Sequence, residues 1–280
     1  MSICKHAPYS TALLVITCGY CVALAQEQQK PAPACGGDEI ARGTVSRVVD
    51  ARTFVLADGR EVRLAAIEAP LLPLPQDSGA APGGAAAKAA LDALVGGDEV
   101  VLRRAEAAGD RYGRVVAYAF AVRDGEEIFA QGELIAAGFA RVGGHAGGRA
   151  CAVELLAREK TARAAKLGLW ANSYYDVLNA ETPADVLARQ GRFALVEGRV
   201  VSVRESGSTI YVNFGRHWSE DFTVTILKRN ERNFTAAGLD LKGLAGRRVR
   251  VRGWIEQRGA GGSPSIEAAH PEQIESADRE

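Results

Sequence analysis

The chain begins its regular pattern near residue 43, where apolar and polar positions alternate. Three segments alternate with a period of two: GTVSRVVD, RTFVLAD and REVRLAAIEAP. That period predicts three β-strands, and the turn sequence Asp58-Gly59 joins the second to the third. The next segment, AAAKAALDALV at 85–95, has helical composition and is followed by two glycines, so it predicts a helix.

Two more strands and further helices complete the first half. EVVLRRAEA and GRVVAYAFAVRDG alternate like the earlier strands, and a strong helical segment begins at Cys151. Three strands, a helix, two strands and then helices is the element order of a five-stranded oligonucleotide/oligosaccharide-binding (OB) barrel. Three strands, an insert and two strands follow from Gly191. We therefore predict a mainly β chain of the α+β class: an OB barrel capped by helices and a second OB-like barrel.

These patterns divide the chain into five parts. Residues 1–25 combine a basic start, the apolar run TALLVITCGYCVALA and a small-x-small ending, which predict a cleaved secretory signal peptide. The alternative is a retained membrane anchor, but the run is shorter than the roughly 20 residues that span a bilayer. The remaining parts are a flexible leader (26–42), the first barrel domain (43–172), a linker (173–190) and the second barrel domain (191–276). We predict an exported protein, periplasmic or secreted, with no integral membrane span after signal cleavage.

Charge and cysteine content add two constraints. The 34 Lys and Arg residues balance 34 Asp and Glu residues, so no overall field indicates a nucleic-acid partner and a basic surface must be local. After signal cleavage Cys35 and Cys151 remain, and an even pair in an exported protein predicts a disulfide. The alternative is two free thiols.

Five motifs carry a resemblance to a known family. They occur in order: VDARTF at 49–54, RLAAIEAP at 63–70, DRYGR at 110–114, ELIAAGFA at 133–140 and LGLW at 167–170. With these intervals, residues 43–170 resemble the staphylococcal nuclease (thermonuclease) family. The resemblance implies phosphodiester cleavage with one Ca²⁺ held mainly by two carboxylates, a glutamate general base and two phosphate-binding arginines. Calcium requires hard oxygen ligands, and guanidinium groups match phosphate geometry.

Only half of that site is carried over. Arg63 and Arg114 match the phosphate-binding arginines, and Glu68 matches one metal carboxylate. The other metal carboxylate falls on Arg52, and the general base falls on Leu71. Loss of a general base removes a factor of roughly 10² to 10⁴ in rate.

The arginine at the metal position has a large electrostatic effect. At about 4 Å and an effective dielectric near 20, like unit charges repel by about 4 kcal/mol, and a divalent ion is repelled more. We therefore expect Arg52 to pair with Glu68, which leaves a vestigial metal ligand, and expect no cofactor. Asp50 is a candidate for a shifted metal site, and Ca²⁺ is the expected ion if the site still functions.

A second basic pattern lies in RRVRVRGW. Arg248, Arg250, Arg252 and Trp254 share one face of a predicted strand, and such residue types track a phosphate backbone and stack bases. Three aromatic residues are candidates to extend this platform: Tyr211, Phe214 and Trp218. In the alternative interpretation the aromatics belong to the core and the arginines solvate a sheet face.

The histidines predict no metal site. His217 and His270 have no Cys, His or carboxylate partner at convincing ligand spacing along the sequence. His145 lies in the glycine-rich loop VGGHAGGRA and is predicted to be exposed.

The leading hypothesis is an exported protein of the thermonuclease family that binds nucleic acid or another polyanion with little or no cleavage. The first alternative is an active metal-dependent nuclease with an altered metal site, so the sequence leaves open whether the protein is an enzyme. The second alternative is a structural or interaction module of the cell envelope. Oligomeric state is not predicted.

Overall fold

The computed structural model describes residues 34–72, 81–259 and 262–278, without the side chains of 106–108. The predicted signal peptide and most of the predicted leader lie outside these residues. Within them, no helix has both the length and the apolar character needed to cross a membrane.

The first barrel domain follows the predicted order of elements. Its elements are β1 (Glu39–Asp50), β2 (Thr53–Leu56), β3 (Glu61–Leu64), β4 (Ile67–Glu68), α1 (Gly84–Val95), β5 (Glu99–Gly109), β6 (Val115–Arg123), β7 (Glu126–Phe129), α2 (Ala130–Ala136), β8 (Arg141–Val142) and α3 (Arg149–Ala164). The main sheet has the order β3-β2-β1-β5-β6-β7, and a parallel β3–β6 pairing closes it into a barrel. This closure is the OB topology that the element order predicts.

Period-two alternation explains why these strands bury one face. Phe54, Leu56, Val62 and Leu64 are each at most 1% exposed and fill the interior of the barrel. Helix α1 covers the barrel with one buried stripe, which is set by helical spacing: Gly84, Ala87, Leu91 and Val95.

The second barrel contains β9 (Leu178–Asn179), α4 (Pro183–Leu187), β10 (Phe193–Arg199), β11 (Ser202–Ser206), β12 (Thr209–Asn213), β13 (Thr223–Leu227), α5 (Glu231–Ala236), β14 (Arg248–Trp254), β15 (Glu256–Arg258), β16 (Ser263–Glu267) and β17 (Ile274–Ser276). Two sheets form it, with orders β17-β14-β10-β9 and β11-β12-β13-β16-β15. β10 continues into β11 and β14 into β15, so the two sheets are joined through two long strands. The parallel β13–β16 pairing completes a second OB-like topology.

Two predicted connecting segments are ordered where the structure describes them. β1 begins at Glu39, inside the predicted leader, and pairs with β5. Residues 173–190, predicted as a linker, contain β9 and α4, and β9 pairs in parallel with β10. The cause is local: these residues carry apolar side chains, such as Tyr175 and Val186, that are buried.

Two further contacts hold the described chain together. The predicted disulfide is confirmed: Cys35 and Cys151 are joined, with their Cα atoms 4.5 Å apart, and the bond ties the segment before β1 to α3. A small apolar cluster joins the two barrel domains, and its members include Trp170, Tyr175, Phe193 and Leu195.

Candidate functional site

An ion pair occupies the predicted metal site, which we call the corner and which contains Arg52, Arg63 and Glu68. Arg52 lies in the turn between β1 and β2, and its Nη1 donates to the Glu68 carboxylate on β4. Arg63 on β3 lies 3.8 Å from the other Glu68 oxygen. Arg52 is 7% exposed, so this pair is largely removed from water. Burial lowers the pKa of the Arg63 guanidinium, and the neighbouring positive charge of Arg52 lowers it further.

The remaining predicted residues of the corner have other roles. Asp50 Oδ1 accepts a 2.8 Å hydrogen bond from the Arg52 backbone N–H, so it shapes the turn. Leu71 is 49% exposed and offers no proton acceptor on its side chain. Within the described part of the chain, Glu68 and Asp50 belong to no group of three or more metal-ligating side chains.

Arg114 is positioned by a turn at the start of β6. Its Nη2 and Nε lie 2.6 and 2.7 Å from Asp110 Oδ2, and Nη1 lies 3.9 Å from Glu61. Desolvation opposes ionisation of Asp110, but hydrogen bonds from Arg114 and Tyr112 hold the pKa of that carboxyl below its ordinary value. Arg114 also lies over the Tyr112 ring, 5.2 Å from its centroid, and Tyr112 is 73% exposed. A cation and an exposed ring therefore stand together at the surface.

A cavity of about 210 Å³ adjoins the corner. Arg63, Glu68, Tyr118 and His145 are among the residues that line it. Ala66 also lines it and has a φ of 65°, a left-handed conformation that is uncommon for residues other than glycine. Its carbonyl accepts a 2.7 Å hydrogen bond from Gly143, which anchors the turn.

Residues 61–172 match the family model described as staphylococcal nuclease homologue. Because of this similarity we call this part of the chain the nuclease homologue domain. The match begins at β3, so the turn that carries Arg52 precedes it, although β1 and β2 belong to the same closed barrel. No curated protein matches the chain.

A nuclease homologue domain is of the nuclease-like or nucleic-acid-binding kind. In this one, the structure brings Arg52, Arg63 and Glu68 together in one corner. Arg114 stands just before β6, the strand that pairs directly with β3, and lies beside Glu61. Arg63 and Arg114 influence each other electrostatically, because Arg114 lowers the pKa of Arg63. The two predicted phosphate arginines thus lie on the same side of the barrel.

The exposed basic face predicted for β14 does not form. Arg252 and Arg250 are only 1% and 5% exposed. Arg252 makes two 2.9 Å hydrogen bonds to Glu159 of α3 and a further ion pair with Glu275. The five central residues of the strand are all buried, and Arg252 packs against α3 of the nuclease homologue domain instead of facing solvent. Burial alone would lower the pKa of Arg252, yet Glu159 and Glu275 raise it above its ordinary value.

The ends of the same strand are more open. Arg248 and Trp254 keep about half of their side chains exposed, and Arg248 donates a 2.7 Å hydrogen bond to Glu197. Arg250 is paired with the same carboxylate at 2.6 Å. The guanidiniums of this strand are therefore engaged with carboxylates, two of them deep in the protein.

Another basic and aromatic surface lies on the second barrel. A cleft of about 1170 Å³ is lined by side chains of β11, β12, β15 and the loop between β12 and β13, among them Arg204, Tyr211, Arg216, Trp218 and Arg258. Trp218 is 73% exposed, and Arg258 lies 5.4 Å from the Tyr211 ring centroid. Phe214, the third aromatic considered from sequence, is buried and belongs to the core. The three arginines were missed because they are spread over 55 positions of the chain, with no local motif.

Proposed function

We propose that the protein is exported and binds nucleic acid or a similar polyanion, with little or no phosphodiester cleavage. The observation that carries this proposal is the buried Arg52–Glu68 ion pair at the position where the family resemblance places the metal ligands. Arg63 and Arg114, with the cleft of the second barrel, supply the anion contacts. The disulfide between Cys35 and Cys151 supports export, because such bonds persist in oxidising compartments.

The corner fits Ca²⁺ poorly. Calcium takes six to eight oxygen ligands. The corner offers Glu68, which is already bonded to a guanidinium, and Asp50, whose Oδ1 already accepts the Arg52 N–H. An incoming cation would have to displace Arg52, which is only 7% exposed. The Leu71 side chain has no atom that could take a proton from water. Both features support the absence of efficient hydrolysis.

Anion binding is supported by two groups of residues. Arg63 and Arg114 retain guanidinium donors of the kind that grip phosphate. In the cleft, Trp218 and Tyr211 offer ring faces beside Arg204, Arg216 and Arg258, which is the combination that stacks bases and tracks a single-stranded backbone. OB barrels bind oligonucleotides on this face.

The cleavage test uses fluorescent single- and double-stranded DNA with Ca²⁺, Mg²⁺, Mn²⁺ or EDTA. We expect no metal-dependent cleavage by the native protein, and some cleavage by an Arg52→Asp/Leu71→Glu variant. The matched control is Arg47→Asp/Leu72→Glu, which makes the same changes at neighbouring exposed positions. Native cleavage that Glu68→Ala abolishes would instead establish the alternative, a working nuclease with an altered metal site.

The binding test measures oligonucleotide affinity by fluorescence anisotropy in EDTA at several salt concentrations. Phosphate contacts release counterions, so log K should fall linearly with log salt, with a slope of about −0.7 for each contact to a single strand. Arg63→Ala/Arg114→Ala and Arg204→Ala/Arg258→Ala should each reduce the slope, while Arg60→Ala, a change at an exposed turn, should leave it unchanged. A salt-independent affinity, or no affinity, would favour the interaction module of the cell envelope.

A further inference from the structure

Three side chains from distant parts of the chain meet where the two barrel domains touch. His145 lies in the glycine-rich loop between β8 and α3 of the nuclease homologue domain. His270 and Glu272 lie on the turn between β16 and β17 of the second barrel. Each offers one ligand atom, and these three atoms all lie within 4.8 Å of one another.

The pairwise geometry within this cluster is already tight. His145 Nδ1 is 3.1 Å from Glu272 Oε1. The two imidazole rings have centroids 3.9 Å apart and are tilted by 33°. In a tetrahedral site with metal–ligand distances near 2.1 Å, ligand atoms lie about 3.4 Å apart. Small side-chain rotations would therefore bring all three atoms to coordinating distance.

The backbone on the His145 side is held in place. Tyr118 Oη donates a 2.9 Å hydrogen bond to the Ala146 carbonyl, and the Ala146 N–H donates to Glu272 Oε1 at 2.8 Å. Gly147 has a φ of 66°, and a Cβ at this position would collide with Tyr118 Oη. The loop therefore needs glycine here and presents His145 in a defined position.

The His270 side is fixed by one buried glutamine. Gln273 Oε1 accepts hydrogen bonds from the Ala269 and His270 N–H groups at 2.8 and 3.1 Å. Its Nε2 donates to the carbonyls of Arg252 and Glu267 at 3.2 and 3.1 Å. Supporting contacts of this kind orient ligands before a metal arrives.

We propose that His145, His270 and Glu272 form a binding site for a divalent transition-metal ion of the Zn²⁺ class. Two imidazoles and one carboxylate suit zinc and its neighbours, whereas Ca²⁺ and Mg²⁺ require more oxygen ligands. Three protein ligands leave a coordination position for water or a ligand. His145 also lines the cavity that contains Arg63 and Glu68, so the ion would lie close to the anion-binding corner.

This site is independent of the proposed function, since it requires neither nucleic-acid binding nor loss of cleavage. Its ligands come from both barrel domains, so bound metal would stabilise their contact. An ion that binds the folded chain raises the free energy of unfolding with its concentration. Metal binding should therefore be visible in thermal stability as well as in titration.

The test titrates ZnCl₂ into the full chain after EDTA treatment and dialysis, with a purification tag that contains no histidine. Calorimetry gives stoichiometry and affinity, and thermal melts with and without Zn²⁺ give the stabilisation. We expect one ion per chain and a higher melting temperature with Zn²⁺. His145→Gln, His270→Gln and Glu272→Gln should each weaken the affinity by roughly tenfold or more.

Two controls make the result decisive. His217→Gln changes a largely exposed histidine outside the cluster and should leave Zn²⁺ affinity unchanged. Cys4→Ser/Cys18→Ser/Cys21→Ser removes the three cysteines outside the disulfide, which could bind zinc themselves, and should also leave it unchanged. Each variant is compared with its own metal-free melt, so a general loss of stability does not mimic loss of binding. No stoichiometric binding, or binding that survives the cluster variants or is lost in either control, would overturn the proposal.

Discussion

Replacement of Arg252 by methionine should weaken the protein far more than loss of an ordinary surface charge. The Arg252 and Glu159 side chains are both 0% exposed, and two hydrogen bonds of 2.9 Å join them. Arg252 Nη1 also donates to the Val142 carbonyl at 3.1 Å. Methionine keeps much of the apolar stem but leaves Glu159 buried, with the Val142 N–H at 2.6 Å and Arg163 at 3.4 Å as its remaining partners.

The expected magnitude follows from that burial. Removing one member of a buried ion pair typically costs 3–5 kcal/mol, because the other charge stays uncompensated. Domains are stable by only about 5–15 kcal/mol, so this loss is a large fraction of the total. If both charges are removed, as in Arg252→Met/Glu159→Met, the uncompensated carboxylate disappears and much of the stability should return.

Urea unfolding followed by tryptophan fluorescence would measure these differences. Arg60→Met is the matched control, since Arg60 pairs with Asp58 at the surface and its loss should move the midpoint little. The reasoning is refuted if Arg252→Met unfolds at the same urea concentration as the control. It is also refuted if the double variant is destabilised by the sum of the two single changes, because additive losses mean that the pair is not coupled.

Three further predictions concern other parts of the molecule. Cys151→Ser opens a loop of 116 positions, and the chain-entropy model predicts that this lowers the free energy of unfolding by about 4–5 kcal/mol. A reductant should therefore lower the melting temperature of the native protein but not that of the variant. Trp218→Ala should weaken oligonucleotide binding by the 1–3 kcal/mol typical of one stacked base, measured by anisotropy; unchanged affinity would exclude the cleft as the stacking surface. Burial would raise the pKa of Glu159, but Arg252 and the Val142 N–H hold it below its ordinary value of 4.5. The stability this carboxylate contributes is therefore complete above about pH 4.5 and lost as pH falls below it, so urea midpoints should drop there and drop less in Glu159→Gln.

The barrels could be predicted because their information is local. Phe54, Leu56, Val62 and Leu64 alternate with polar residues, and only one face of such strands can be buried. The disulfide could also be predicted, since Cys35 and Cys151 are the two cysteines outside the predicted signal peptide. The Arg52–Glu68 pair was accessible for a different reason: the family resemblance placed both residues in one corner, and opposite charges then pair.

The surfaces could not be predicted in the same way. Alternation assigns Arg250 and Arg252 to one face of β14 but does not say what covers that face. For Arg252 the answer is Glu159, which lies 93 positions earlier on a helix of the other domain. The His145–Glu272 contact spans 127 positions for the same reason. Contacts between domains depend on docking, and docking leaves no periodic signal in either segment.

The arginines of the two barrels therefore fall into two groups with different roles. Arg252 and Arg250 are buried beside carboxylates and hold the structure together, so their charge is neutralised within the fold. Arg63 lies at the rim of an open cavity, and Arg258 lines an open cleft. A balanced total charge can thus coexist with polyanion binding, because a basic surface can be local whatever the total charge is. Stability assays report on the first group and salt-dependent binding on the second, so the two experiments together separate docking from recognition even though both rely on the same residue type.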